Sequence, residues 1–188
     1  KFPIKEFNND PKKVKFEDVL KYEQPTKYIV KSTKYNNDFK TPVLTAGKGF
    51  ILGYTNETEG IFTNTPVIIF DDFTTSSQYV NFHFKVKSSA MKILRPADNV
   101  NLKFLFYKMQ TIQHKSDTHK RYWISEYAKL EIPLPPLSEQ NLIVAEIDRR
   151  FAIVDKTLNL IDKSIQNAKN LKQSILKKAF SGELRSEI

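Results

Sequence analysis

The longest continuous feature of the sequence is a stretch from residue 137 to residue 181 that contains neither proline nor glycine. A proline-rich segment, residues 133–136, comes directly before it, and proline disfavours helix because it lacks an amide hydrogen and fixes φ. Ser138 can cap the first free amides of a helix, and Gly182 marks its end. The sequence therefore predicts one helix over residues 138–181, about 60 Å long, which exceeds the size of a small domain.

Apolar residues recur along this helix in alternating steps of three and four, which places them in one narrow seam. The seam begins at Val144 and continues to Ala168. Its central positions are Ile147, Phe151, Val154, Leu158, Ile161 and Ile165. Such a narrow seam is typical of a helix that packs against another helix, so the pattern predicts pairing. Beyond Ala168 the repeat slips, which predicts different surroundings for the two ends of the helix.

The remainder of the chain has the composition of a folded domain. Its 188 residues are 40% hydrophobic and include 14 phenylalanines, so a core can form. We predict a globular domain over residues 1–137, the long helix over 138–181 and a tail over 182–188. No segment approaches the roughly 20 apolar residues of a membrane span, and the N-terminus does not resemble a signal peptide, so we expect a soluble cytoplasmic protein. Zero cysteines exclude disulfides and thiolate metal sites.

Short β-branched and aromatic runs, separated by glycine, asparagine and aspartate, dominate the domain. They predict strands at residues 28–30, 42–45, 50–52, 66–70, 79–86 and 92–94. Residues 99–113 carry an apolar face at helical spacing, with Asp98 or Asn99 as the expected cap. The predicted fold class is α+β: a curled sheet with a helix behind it, followed by the long C-terminal helix.

The chain is basic, and its charge is unevenly distributed. The net charge is +9, of which +7 lies in residues 1–137 and +2 in residues 138–188. A basic domain favours a polyanionic partner because neutralising phosphates releases counterions. Basic proteins without nucleic-acid roles are common, so charge alone leaves the partner open.

Polar and basic side chains that could contact DNA concentrate in the predicted turns. Arginine and lysine bind phosphate or guanine, glutamine pairs with adenine, and serine, threonine and tyrosine add short donors. The candidate DNA-binding residues are Lys31, Lys34, Tyr35, Lys40, Lys48, Thr75, Ser76, Ser77, Gln78, Lys115, His119, Lys120 and Arg121. Each of them could equally belong to an ordinary polar loop.

The sequence does not show the motifs of common catalytic sites. His114 and His119 have no carboxylate at helical spacing, and the remaining histidine is His83, so we predict no metal site. Asp71 and Asp72 are the best carboxylate pair for a magnesium-dependent nuclease, but no Glu-x-Lys follows on a convincing strand. A glycine-rich loop that could hold S-adenosylmethionine is missing as well. We therefore predict a non-enzyme without a cofactor of its own.

Three segments resemble the specificity subunits of type I restriction-modification systems. They are the junction Ile-Pro-Leu-Pro-Pro-Leu-Ser-Glu-Gln at 132–140, Ile-Val-Ala-Glu-Ile-Asp at 143–148, and Leu-Lys-Gln-Ser-Ile-Leu-Lys-Lys-Ala-Phe-Ser-Gly-Glu-Leu at 171–184. The resemblance covers residues 130–184. In that family such a segment follows each target recognition domain, and residues 1–137 match such a domain in size and character.

The resemblance implies a division of labour between subunits. Family members usually carry two recognition domains, held apart along DNA by two helices that pair antiparallel. A chain with one of each implies a half subunit, either natural or cut from a longer chain. Such a half subunit would read half of a bipartite site in double-stranded DNA and self-associate through the seam as a homodimer. Modification subunits, and through them the restriction subunit, are the implied partners. S-adenosylmethionine, ATP and magnesium would belong to those subunits.

Two other functions remain open. A coiled-coil scaffold or adaptor, whose basic head binds RNA, membrane lipid or an acidic protein, would carry the same seam and charge. The second alternative is an enzyme whose active site the sequence does not reveal. Specific duplex binding would exclude the scaffold, and nuclease or methyltransferase activity of the purified chain would support the enzyme.

Overall fold

The computed structural model describes residues 11–45, 49–113 and 121–182. The chain divides into two compact units, unit 1 over Lys1–Val144 and unit 2 over Ala145–Ile188. The predicted α+β class with a long C-terminal helix is confirmed.

Short strands and helices build unit 1. The strands are β1 Lys12–Lys15, β2 Leu20–Glu23, β3 Thr41–Leu44, β4 Ile51–Thr55, β5 Val67–Asp71, β6 Ser77–Val80, β7 Lys85–Val86, β8 Met91–Pro96 and β9 Glu131–Leu134. The helices are α1 Phe16–Val19, α2 Leu102–Gln110, α3 Tyr122–Ser125 and α4 Leu137–Ser181, which begins in unit 1 and continues through unit 2. Short 3-10 turns occur at Pro25–Tyr28 and Tyr127–Lys129.

The strands form three sheets. The largest has the order β2-β8-β5-β6 and is antiparallel throughout, with Ile69 opposite Ile93 on one side and Gln78 on the other. The second has the order β4-β3-β7, in which β3 runs antiparallel to β4 and parallel to β7. The third is a ribbon of β1 and β9, where Lys13 lies opposite Pro133.

The four-stranded sheet is the middle layer of unit 1. On one face Ile68 and Phe70 pack against the helices, in a cluster that includes Trp123. On the other face Val67 and Ile69 pack against residues of the three-stranded sheet. Successive side chains of a strand point to opposite faces, and both faces of the sheet are covered at β5, so this strand is buried along its whole length. Two hydrophobic cores therefore hold this strand in place.

Several predicted strands differ from the observed ones. Residues 28–30 do not form a strand, since Tyr28 ends a 3-10 turn and Ile29 makes an isolated bridge to Val86. The predicted strand over 79–86 is divided, because β6 ends at Val80 and β7 begins at Lys85. Strand propensity reports packing on a half-buried surface rather than backbone pairing, so both segments resembled strands.

Helix α2 is shorter than the predicted span of 99–113, and its cap differs from the two expected residues. Asn101 is the N-cap: its side-chain oxygen accepts hydrogen bonds from the amides of Lys103 at 2.9 Å and Phe104 at 3.1 Å. Asn99 instead adopts a positive φ of 60° in the preceding turn, a conformation that asparagine tolerates. The helix therefore starts two to three residues later than the sequence suggested.

The first two turns of α4 belong to unit 1. The Pro136 carbonyl accepts hydrogen bonds from the amides of Glu139 and Gln140, so Ser138 lies inside the first turn of α4. Ser138 was predicted to be the N-cap, and that prediction was wrong. Gln140 is buried, accepting from the Asn101 amide at 2.9 Å and donating to the Pro135 carbonyl at 2.8 Å. Val144 is buried in the core of unit 1, so the exposed seam starts after it.

The described part of unit 2 is a single helical segment whose side chains are exposed from residue 151 to residue 182. Near its start Glu146 accepts hydrogen bonds from Arg149 at 2.8 Å and Arg150 at 2.6 Å. These bonds, that of Arg149 foremost, lower the pKa of Glu146 to about 2. Among the described residues, no helix has the length and apolar character needed to cross a membrane.

Candidate nucleic-acid interface

The turn after β5 presents three hydroxyl side chains on a braced backbone. The Asp71 carboxylate accepts from the Phe73 amide at 3.0 Å and from the Thr74 hydroxyl at 2.6 Å. The Asp71 carbonyl accepts from the Thr75 amide, and its own amide donates to the Ser76 carbonyl. Thr75 has a positive φ of 58°. Because Asp71 is buried and fixes both ends of the turn, Thr74 and Ser76 are held exposed.

Asp72 joins this turn to two neighbouring segments. Its amide donates to the Ala90 carbonyl, and its carbonyl accepts from the Tyr122 amide. One carboxylate oxygen accepts from the Trp123 amide at 2.8 Å, and the other lies 3.1 Å from the Lys92 ammonium. The side chains of Asp72 and Lys92 are only 2% and 1% exposed. The buried ion pair therefore ties the turn to Lys92 in β8, and the hydrogen bonds of Asp72 tie it to Ala90 before β8 and to the start of α3.

These contacts bring together polar residues of neighbouring segments, which form a surface that we call the turn face. It consists of Thr74, Thr75, Ser76, Lys87, Ser88, Ser89 and Arg121. Lys87 and Arg121 provide positive charge and the other five provide hydroxyl groups. The two carboxylates beneath it, Asp71 and Asp72, are buried and hydrogen-bonded. The turn face therefore presents donors and cations without an exposed carboxylate of its own.

A second group of candidate residues lies in the segment 31–40, which packs beside β4. The Asn36 amide donates to the Tyr54 carbonyl, and Tyr35 lies so close to Gly53 that a β-carbon there would meet its side chain at 2.8 Å. Lys40 lines a shallow pocket of about 390 Å³ together with Tyr54 and His83. This group lies at the Thr41 end of β3. At the other end of the strand, the Leu44 carbonyl accepts a hydrogen bond from the amide of Lys87, a residue of the turn face.

The segment 31–40 is anchored by a second ion pair, between the buried Lys85 and the partly buried Glu57. One Glu57 oxygen accepts from the amides of Lys31 at 2.9 Å and Ser32 at 2.8 Å, and the other lies 3.0 Å from the Lys85 ammonium. Lys85 is 2% exposed and also donates to the Glu59 carbonyl at 2.6 Å. Carboxylates therefore surround this group, in contrast to the turn face.

Glu57 should make the stability of unit 1 depend on pH. Burial alone would raise the pKa of Glu57, but hydrogen bonds from Ser32, Lys85 and Lys31 together lower it below its ordinary 4.5. A lowered folded-state pKa contributes stability that is present above the unfolded value and lost as the pH falls through the folded one. Glu57→Gln should therefore lower the urea concentration at the unfolding midpoint near neutral pH. The midpoint of the variant should also fall less than that of wild type between about pH 6 and about pH 3.

Urea titrations of both chains across this pH range, followed by the fluorescence of the single tryptophan, would measure the effect. Lys31→Ala is the control, because it removes only an exposed partner of Glu59 at 3.7 Å. Parallel pH profiles for wild type and Glu57→Gln would contradict the role given to this carboxylate.

The structure sorts the predicted DNA-binding residues into four sets. Thr75, Ser76 and Arg121 lie together on the turn face, and Gln78 is exposed on the neighbouring β6. Lys31, Lys34, Tyr35 and Lys40 form the second group. Ser77 is buried and its hydroxyl accepts from the Gln110 side chain at 2.8 Å, so it is unavailable at the surface. Lys48, Lys115, His119 and Lys120 lie outside the described residues.

Sequence reasoning missed the contribution of Lys87, Ser88 and Ser89. The available signal was their similarity to residues 74–78, since both are short polar runs that connect apolar strands. The same reasoning considered Asp71 and Asp72 as a possible catalytic pair, whereas the structure uses both to brace the turn face. Within the described ranges, no cluster of histidine, cysteine, aspartate and glutamate could hold a metal ion.

The fold and this surface define a two-part protein, with an α+β unit that carries a basic polar face and a long helix that carries an exposed apolar seam. The family model described as "Type I restriction modification DNA specificity domain" matches residues 8–173. This match covers more than half of the 188 residues. The chain therefore belongs to the type I restriction modification DNA specificity domain family, and the resemblance inferred from residues 130–184 is confirmed.

Relatives share both sequence and fold with this chain. The specificity subunit of the type I restriction enzyme EcoR124I/EcoR124II of Escherichia coli is 47% identical over 149 residues, which cover 72% of this chain and 37% of that subunit. A chain in a structure of the type I R-M system superposes with a TM-score of 0.68 at 20% identity, over 96% of this chain and 48% of its own. The type I S subunit from M. genitalium gives 0.64 at 17% identity, over 85% and 44%. This chain thus spans less than half the length of these relatives.

Proposed function

We propose that this chain specifies the DNA sequence acted on by a type I restriction-modification complex, with the turn face of unit 1 as the surface that contacts double-stranded DNA. The observation that carries the proposal is the turn face itself: five hydroxyl-bearing residues and two cations on a braced backbone, in a member of a DNA specificity family. Phosphate contacts by Lys87 and Arg121 would orient the unit, while Thr75 and Ser76 would reach base edges.

The buried ion pair under the turn face supports this assignment. A recognition surface gains affinity when its side chains are already held in the bound arrangement, because less conformational entropy is lost on binding. Asp71 and Asp72 fix the turn from below, with Asp71 accepting from the Thr74 hydroxyl, and leave the Ser76 side chain exposed at the surface. The segment 31–40 is a second candidate contact region, but Asp38, Glu57 and Glu59 reduce its attraction for phosphate.

We further propose that one unit 1 reads half of a bipartite site and that α4 docks the modification subunits. In this proposal methylation depends on S-adenosylmethionine held by the modification subunits, and ATP and magnesium serve the restriction subunit. The chain itself contributes recognition, without a catalytic role, in the bacterial or archaeal cytoplasm. The exposed seam of unit 2 pairs with a second amphipathic helix, for which another copy of the chain is one source.

The alternative is a scaffold whose basic unit binds another polyanion. Charge alone would attract RNA, heparin and anionic vesicles as well as DNA. A competition experiment separates the two functions, because a specificity subunit assembled with its modification subunits should retain one DNA sequence in excess competitor. A scaffold should lose duplex DNA to any polyanion of equal charge density.

Neutralising the two cations of the turn face should weaken DNA binding in a salt-dependent manner. Lys87→Ala combined with Arg121→Ala should reduce the slope of log affinity against log salt by about two, because each phosphate contact contributes about one. Fluorescence anisotropy with a labelled duplex and the assembled complex would measure this slope.

The matched control is Lys12→Ala combined with Lys13→Ala, which removes the same charge from the β1–β9 ribbon. This variant should keep the wild-type slope. An equal reduction of the salt slope in both double variants would show that binding follows net charge. The turn face would then no longer be assigned as the DNA-contacting surface.

A further inference from the structure

Helix α2 carries two stripes of side chains with different surroundings. Leu105 and Met109 are buried in the core of unit 1. Lys103, Phe106 and Gln110 form another stripe, spaced three and four residues apart, and are half-buried or exposed. Each of these three side chains contacts strand β6. The second stripe therefore lies along β6.

The contacts of this stripe follow one face of the strand. The side-chain nitrogen of Gln110 donates to the Ser77 hydroxyl at 2.8 Å and to the Ser77 carbonyl at 3.4 Å. Tyr79 points to the same face as Ser77, because side chains two residues apart in a strand share a face. The centroid of its ring lies 5.9 Å from that of Phe106 and 5.8 Å from the Lys103 ammonium. Helix α2 thus holds β6 at two successive positions of this face.

Strand β6 carries one arm of the turn that contributes to the turn face. It lies at the edge of the four-stranded sheet and pairs with β5 on one side. The arm that follows β5 is braced by Asp71 and Asp72. On the β6 arm, Ser76 belongs to the turn face and directly precedes Ser77, which is 6% exposed. Because adjacent residues share a planar peptide unit, the position of Ser77 constrains that of Ser76.

We propose that Gln110 and Ser77 are positioning residues for sequence recognition, because their hydrogen bond holds the β6 arm of the turn face in its reading arrangement. The inference rests on the proposed function of the turn face. It gives Ser77, which the sequence suggested as a DNA contact, a role beneath the surface. A recognition surface held in its bound arrangement loses less conformational entropy on binding. Phosphate contacts are assigned to Lys87 and Arg121, so loss of this bond affects base discrimination rather than the phosphate contacts.

Removing the bond should reduce discrimination by the complex assembled with its modification subunits. The probes are a labelled duplex with the split motif that wild-type cells methylate, and a set of duplexes that each differ from it by one base pair. For Gln110→Ala, the ratio of dissociation constants should fall about fivefold at one or more positions, which corresponds to one net hydrogen bond. The slope of log affinity against log salt should keep its wild-type value. Fluorescence anisotropy measures both quantities.

Three further chains separate positioning from other roles. Ser77→Ala should lose discrimination at the same positions, and its combination with Gln110→Ala should lose little more than Gln110→Ala, because both act through one bond. Gln110→Lys keeps a donor within reach of Ser77 and should stay within about twofold of the wild-type ratios. Thr111→Val is the control, because it removes only the bond from the Thr111 hydroxyl to the Lys108 carbonyl at the same helix end. Its ratios should match wild type.

Unchanged ratios for Gln110→Ala at every position would overturn the proposal, as would a Gln110→Lys chain that loses as much as Gln110→Ala. Losses that add in the double variant would also overturn it, since Ser77 would then act independently of Gln110. An equal loss for Thr111→Val would trace the effect to fraying of the helix end. A wild-type complex that fails to distinguish the duplexes would instead contradict the proposed function itself.

Discussion

Asp72→Ala is expected to lower the free energy of unfolding of unit 1 by about 3–5 kcal/mol, because removing one member of a buried ion pair leaves the other charge uncompensated. The Lys92 side chain is 1% exposed, and its partner carboxylate is 2% exposed. The same substitution removes the acceptor of the Trp123 amide. Since small domains are stable by roughly 5–15 kcal/mol, the loss from this single change is comparable to the lower end of that range.

Urea unfolding followed by Trp123 fluorescence measures this loss, because Trp123 is the single tryptophan and lies in the affected contact. The matched rescue is Asp72→Asn combined with Lys92→Met, which removes both charges, keeps an acceptor for Trp123 and should recover most of the stability. Exposed Lys31→Ala should change stability by less than about 1 kcal/mol. If Asp72→Ala lowered stability as little as Lys31→Ala, the bracing role of the Asp72–Lys92 pair would be contradicted.

Leu158→Asp is expected to reduce helix pairing by more than about a hundredfold, since an unpaired charge placed in an apolar interface costs several kcal/mol. Leu158 is 53% exposed in the single chain and lies next to the centre of the seam. Unit 1 should keep its urea midpoint, because the substitution lies in unit 2. The change therefore separates pairing from folding.

The pairing measurement is sedimentation equilibrium of the full-length chain, which compares wild type with Leu158→Asp. Lys156→Asp is the control: it places the same carboxylate two residues away, on the outer face of the helix, and should leave the core of the pair intact. A Leu158→Asp chain that pairs as tightly as Lys156→Asp would show that the seam is not the interface.

The long helix could be predicted because its determinants are local. The run free of proline and glycine, and the seven-residue repeat, lie within the segment itself. The details at its start could not be predicted, since they depend on contacts across the fold. Gln140 is buried by its bonds to Asn101 and to the Pro135 carbonyl, and Val144 is taken into the core of unit 1.

The sheet was only partly predictable for a related reason. Strands β5 and β8 show apolar runs, whereas the charged β1 pairs with β9 in a ribbon that contains Pro133. Such pairings between residues far apart in the sequence leave no periodic signal in either segment. Lysine is mostly found at protein surfaces, yet Lys85 and Lys92 are both buried against carboxylates that the sequence does not reveal as partners.

The candidate site was predicted by residue type but not by arrangement. Hydroxyl-rich residues 74–78 and basic Arg121 were identified from composition, and the structure joins Thr75, Ser76 and Arg121 through Asp72. Ser77 was included although alternation within β6 turns it inward, towards Gln110. The role of Asp72 could not be read from the sequence, because its partners Lys92 and Trp123 are distant along the chain.

A genome-wide map of methylated adenine tests the central claim most directly. Host cells that express the modification subunit would be compared with and without this chain, and with a chain carrying Thr75→Ala and Ser76→Ala. We expect that one split motif loses methylation when the chain is absent, and that the double variant weakens or alters that motif. An unchanged map, with the complex expressed and assembled, would contradict sequence specification and favour the scaffold.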